Sequence, residues 1–203
     1  MLSRIDEIIY PNRCEVIEIL PSQRYIYPIF KNGSSSITEY AKEQQYKVLV
    51  NEQIKRISVI DVIIRNPCDR FISGINTFVY NTKRENPELD VHTILWFAEN
   101  YLFLNRHYCP QIAWLVNLSK YSTARLQFRT MDDLAIYTPL NIGPDEEKIL
   151  EIDTIERLTN NLHNEMYLRL DNCLLDLIGQ QLTFTEVLEY IKNKDPHAYA
   201  KLS

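Results

Sequence analysis

The chain has 203 residues, 45% hydrophobic, 11% aromatic and 24% charged, with a formal net charge of −5. That is enough chain to bury a substantial core in one domain, and the acidic balance excludes a general nucleic-acid binder, so any phosphate must be held locally. No apolar run approaches the roughly 20 residues that span a bilayer, and MLSRIDEIIYPNR has acids where a signal peptide has its apolar core, so the expectation is a soluble, cytoplasmic protein with no membrane partner.

In chain order, CEVIEIL (14–20) and RYIYPIF (24–30) have the β-branched and aromatic pattern of strands. SSSITEYAKEQQ (34–45) reads as a helix opened by serines, YKVLV (46–50) as a strand and ISVIDVIIR (57–65) as a buried one. The alternation predicts an α/β fold with a parallel sheet and crossover helices. NPCDRFISGINTFVYNTK (66–83) has proline at the first helical position after an asparagine cap, with Phe71, Ile75, Phe78 and Val79 on one apolar face. DVHTILWFAENYLF (90–103) is a second helix, YSTARLQF (121–128) a strand and MDDLAIY (131–137) a short helix. Amphipathic helices fill the chain from Glu146 onward, through NEMYLRLDNCLLDLIG (164–179) and FTEVLEYIKN (184–193). The expected organisation is a single domain: a sheet core over about 14–140, a candidate hinge at NIGPDEE (141–147), and a helical C-terminal part over about 145–203.

Cys14, Cys68, Cys109 and Cys173 form no C-x-x-C pair, and the four histidines are equally scattered. Reduced thiols packed in the fold, and no metal site, are the expectation. Cys68, near a helix start, has a lowered thiol pKa as its reactive alternative.

The chain has only four glycines, yet Gly33 stands in YPIFKNGSSSI (27–37) between a lysine and three serines. A strand that ends in such a loop and leads into a helix aims free N–H groups, and the positive end of the helix dipole, at one point. That point is an anion site: Gly33 permits close approach, Lys31 supplies charge, and Ser34, Ser35 and Ser36 supply hydroxyls or a helix cap. The plainer alternative is a strand-to-helix turn whose serines only cap. The lysine precedes the glycine, so this is no Walker A loop, and Ile37 stands where a nucleophile elbow needs its second glycine. No cysteine heads a C-x5-R phosphatase loop, since the sixth residues on are Leu20, Gly74, Leu115 and Gly179.

A second stretch, VIIRNPCDRFISG (62–74), ends a buried strand with Arg65 and starts a helix almost at once. An arginine at the carboxyl end of a strand points into the crevice where open α/β sheets bind ligands. Arg65 through its fork and Ser73 through its hydroxyl can clamp a second phosphate. The alternative for Arg65 is a strand-end salt bridge. Asp69 favours the helix dipole, with Arg70 expected to pair with it or with a neighbouring acid on the sheet.

Together, KNGSSS and IIRNPCDRFISG resemble the two cofactor-binding segments of sulfotransferases that use 3′-phosphoadenosine 5′-phosphosulfate (PAPS), nearest the carbohydrate branch. RHYCPQ (106–111) is similar to its His-x-x-Pro-Gln stretch and MYLRLDNCLLD (166–176) to its late Tyr-x-x-x-Asp helix, so the likeness covers residues 24–176. The resemblance implies a three-layer α/β/α, P-loop-NTPase-like fold with a mostly parallel sheet and a helical C-terminal part. It implies that Lys31, Asn32, Gly33, Ser34, Ser35 and Ser36 cradle the 5′-phosphosulfate and that Arg65 and Ser73 hold the 3′-phosphate. The acceptor would be a hydroxyl on a small molecule or carbohydrate. Golgi members of the branch carry an N-terminal membrane anchor, which is not expected here.

Sulfuryl transfer needs charge stabilisation on the leaving oxygen, for which Lys31 is placed, and a base for the acceptor proton. Glu52, after the strand YKVLVN, stands near where the glycosaminoglycan branch places a catalytic Glu or His. His107 has the side chain whose ordinary pKa, about 6.5, suits proton transfer near neutrality. Against these stand a merely solvated glutamate and a structural histidine. Trp96, Phe97, Tyr101 and Phe103 either wall an acceptor cleft or belong to the core. Two other classes stay open: an atypical nucleotide phosphotransferase, and a non-catalytic nucleotide-binding module of the same fold.

Overall fold

The apolar runs become strands because their side chains divide between two faces of one sheet. In the computed structural model, which describes residues 14–20, 22–100, 105–140, 152–160, 162–200 and 202, the strands are β1 (Glu15–Ile19), β2 (Arg24–Tyr27), β3 (Lys47–Val50), β4 (Val59–Ile63), β5 (Arg125–Arg129) and β6 (Gln181–Leu182). The helices are α1 (Ser34–Glu43), α2 (Pro67–Glu85), α3 (Val91–Asn100), α4 (Gln111–Ser119), α5 (Ile152–Thr159), α6 (Leu162–Leu175), α7 (Phe184–Lys194) and α8 (Pro196–Tyr199). Two 3-10 segments, Asn51–Arg56 and Met131–Ile136, follow β3 and β5. The expected hinge at 141–147 lies outside the described residues.

Period-two alternation sets the layers. Val16, Tyr27, Ile60, Val62 and Phe128 face one core with residues of α2, α4, α6 and α7, while Ile17, Ile19, Ile26 and Ile63 face another with Ile37 and Ala41 of α1. On the α1 side, buried Asp61 is paired with Arg24 at 3.6 Å and Arg129 at 3.3 Å.

The sheet order is β3-β1-β2-β4-β5-β6. Parallel pairing joins only β2 to β4 and β4 to β5; β1 is antiparallel to β2 and β3, and β6 to β5, so β3 runs in the direction of β2 without pairing with it. The expectation of a mostly parallel sheet is thereby corrected to a mixed one. The reason is local: residues 20–23 are too few for a crossover, so β1 and β2 close as a hairpin. The short β6, from the helical C-terminal part, had no strand-like run to announce it.

This order positions the site. From β2 the chain leaves through α1 toward β3 on one face, and from β4 through α2 and α4 toward β5 on the other. The carboxyl ends of adjacent, parallel β2 and β4 therefore flank a topological switch point, where open α/β sheets form a crevice. Among the described residues no helix is long and apolar enough to cross a membrane.

Candidate functional site

The first wall of the candidate site is the loop after β2. Lys31 and Gly33 both have left-handed backbone, φ 66° and 77°. Gly33 is the N-cap of α1 and makes no side-chain cap bond, so the serines do not cap the helix; they form its first turn. The first turn of α1, at the positive end of the helix dipole, thus lies at the carboxyl end of β2. Ser34 and Ser36 are buried and Ser35 is exposed. Asn32, 1% exposed, ties the loop inward, its side-chain amide donating to the Ile63 carbonyl at 2.7 Å and to Gln111 Oε1 at 2.6 Å.

The second wall follows β4. The Asn66 side chain accepts from the Asp69 amide at 3.2 Å and Pro67 opens α2, as the sequence predicts. Just before this cap, Arg65 is half-buried, and its Nη1 donates to the Lys31 carbonyl at 3.0 Å. Its main chain is gripped on both sides by Gln111, whose Oε1 accepts from Arg65 N and whose Nε2 donates to Arg65 O, each at 3.0 Å. Burial lowers the Arg65 pKa, opposed by the charge of Asp69.

Lys31 reaches from its loop to α2, its Nζ donating to the Thr77 hydroxyl, and that hydroxyl donates to the Ser73 carbonyl at 3.0 Å. One chain of contacts thus joins Lys31, Ser73 and Thr77, and a second joins Lys31 to Arg65. His107 lies beside them, its ring 5.5 Å from that of Phe30, the residue before Lys31. The Arg106 guanidinium sits 4.7 Å over the same Phe30 ring. Gly74 lets α2 lie directly on this segment, since a Cβ there would stand 2.2 Å from the His107 carbonyl oxygen.

Glu52 is not brought to this cluster. It lies beyond β3 at the sheet edge, two strands from β2, with its side chain 77% exposed and paired to Lys55 at 2.6 Å. Arg70 does not make the expected pair with Asp69. It is 1% exposed, donates to the carbonyls of Phe30 and Cys109, and acts electrostatically on buried Asp171. The Cys68 thiol is raised, not lowered, because burial and the Asp69 charge outweigh its place near a helix start. Trp96 and Phe97 are not core: they are 52% and 47% exposed, edge to face at 5.2 Å. Tyr101 and Phe103 lie outside the described residues.

Sequence reasoning passed over Thr77, Arg106 and the linking role of Gln111. Thr77 had a readable signal, one helical turn after Ser73 on the same face. Among the described residues, no group of three His, Cys, Asp or Glu could hold a metal ion. Comparison with protein-family models, curated proteins and solved structures finds no match for this chain.

Proposed function

We propose that the protein is a PAPS-dependent sulfotransferase with the three-layer, P-loop-NTPase-like fold of that family, transferring a sulfuryl group to a hydroxyl acceptor of the carbohydrate class. The observation that carries this reading is the joining of two strand ends at the switch point: the loop that carries Lys31 into the first turn of α1, and Arg65 bonded to the Lys31 carbonyl. The left-handed Gly33 brings the first turn of α1 directly after Lys31.

Bound there, PAPS would pass its sulfuryl group to the acceptor oxygen, the electron pair of the broken sulfur–oxygen bond staying on the 5′-phosphate. Lys31 and the first-turn amides of α1 stabilise that charge, with the Ser35 hydroxyl at the exposed edge. Arg65 and Ser73 hold the 3′-phosphate. His107, beside Phe30 and Lys31, takes the acceptor proton.

The test is calorimetric binding of 3′-phosphoadenosine 5′-phosphate (PAP), with ATP and AMP as controls and Arg65→Ala and Lys31→Ala beside wild type. Binding that requires the 3′-phosphate and both cations supports the reading. Equal binding of ATP moves it to a nucleotide phosphotransferase, and PAP binding without turnover of PAPS leaves a non-catalytic module.

A further inference from the structure

We propose that Asp171 is a positioning residue for this site: it fixes the start of α4, which fixes Gln111, which sets the spacing of the loops carrying Lys31 and Arg65. The inference rests on the sulfotransferase reading only for the ligand the site takes.

Asp171 is 3% exposed on α6, about 60 residues from the segment it holds. Its Oδ2 accepts from the Gln111 amide at 2.7 Å and its Oδ1 from the Ile112 amide at 2.9 Å. These are first-turn donors of α4, whose N-cap is Pro110 and supplies no side-chain bond of its own. Thus a carboxylate from a distant helix does the capping. Gln111, with 0% exposure, then contacts both walls: Asn32 Nδ2 on the first and both main-chain polar atoms of Arg65 on the second. Asn32 closes the ring through the Ile63 carbonyl at the end of β4, and Arg65 through the Lys31 carbonyl. A shift at the start of α4 therefore reaches both loops through one side chain.

Asp171 also lines a cleft of about 260 Å3, partly open to solvent, together with Pro67, Arg70, Phe71, Tyr108 and Tyr167. The charged and titratable groups around its carboxyl are Arg70 from α2, Tyr108 and Cys109 from the segment before α4, and Tyr167 from its own helix. Burial pushes the carboxyl up to about 6, against the pull of Arg70 and of the two amides. Protonation puts a hydroxyl donor where two N–H groups need acceptors, so the ring slackens as pH falls through that value.

The experiment compares PAP affinity of wild type and Asp171→Asn between about pH 5 and about pH 8; their ratio cancels the titration of the ligand's own phosphates. The variant should bind about tenfold more weakly at the upper end, with the ratio falling toward one at the lower end as wild type protonates. A ratio near one at the upper end, or one that does not change with pH, overturns the proposal. A ligand-free readout stands beside it: in wild type, the side-chain amides of Asn32 and Gln111 and the Arg65 N–H should shift in NMR with a common midpoint near 6, and the variant should lack that transition. Absence of the common transition in wild type overturns the positioning role, even where the variant fails to fold. If wild type binds no PAP at any pH, the sulfotransferase reading fails and the NMR titration alone decides the role of Asp171.

Discussion

The Arg65 guanidinium donates to the Lys31 carbonyl at 3.0 Å, so the cation of one loop holds the backbone of the other. Lys31 has φ 66°, a left-handed conformation that costs a non-glycine residue about 1–2 kcal/mol. Arg65 is thus both a candidate phosphate ligand and a brace for a strained residue. Lysine at that position keeps the charge and loses the planar fork that can serve carbonyl and phosphate together. Arg65→Lys is expected to weaken PAP binding by about tenfold, or ~1.4 kcal/mol, with a small change in melting temperature. Calorimetry beside a thermal melt checks this, and unchanged affinity would reduce Arg65 to a point charge.

The two glycines of the site fail in different ways. A Cβ at Gly74 would stand 2.2 Å from the His107 carbonyl oxygen and 2.8 Å from Tyr108 Cα, main-chain atoms that move only with their segment. At Gly33 the clash is with the Leu134 Cδ1 at 2.8 Å, a side-chain end that can rotate, added to the cost of φ 77°. Gly74→Ala should therefore destabilise by about 3 kcal/mol or more, and Gly33→Ala by about 1–2 kcal/mol. Denaturant midpoints of the two variants compare them directly; the reverse order would mean that the 105–110 segment yields.

Strand existence was legible because Val16, Ile60 and Val62 alternate with residues of the opposite face, a local pattern. Strand direction was not, since pairing is a relation between distant segments, and the β1–β2 hairpin and the two-residue β6 made the sheet mixed. The Asn66–Pro67 helix start was readable for the same local reason. Gln111 and Asp171 stood in quoted stretches, yet nothing in one sequence says that the Asp171 carboxylate accepts from the amides of Gln111 and Ile112 on another helix. The partners of Arg70 were not legible because its hydrogen bonds go to carbonyls, which carry no side-chain code, and the acid it acts on, Asp171, stands on a distant helix.

Asp171 also gives stability a pH slope of predictable sign. The unfolded carboxyl releases its proton near 3.8 and the native one near 6. Between those values the native state binds more protons, so stability falls as pH rises, by up to ~3 kcal/mol across the window. Asp195, lowered by the Ala198 amide and Arg169, acts in the opposite sense and below this range. The unfolding free energy of wild type minus that of Asp171→Asn should therefore decline from about pH 4 to about pH 6.5 and level off above. A flat difference would place the Asp171 carboxyl at an ordinary pKa.

The two base candidates separate on geometry. The His107 ring packs against Phe30, next to Lys31, and its carbonyl is seated on Gly74 of α2, so both walls of the site hold its segment. Glu52 stands at the sheet edge, 77% exposed, and its partner is Lys55, a surface pair worth about 0–1 kcal/mol. Removing a general base costs roughly 100-fold to 10,000-fold in rate. His107→Ala should therefore lower PAP release from PAPS by about 100-fold or more while PAP affinity stays within about threefold, because the histidine acts on the acceptor proton and not on the phosphates. Glu52→Ala should leave both rate and affinity near wild type. Measuring the two variants with one donor and one hydroxyl acceptor decides the assignment: a rate loss confined to Glu52→Ala would require the β3 end to approach the crevice, and a loss in neither would leave the acceptor proton to solvent.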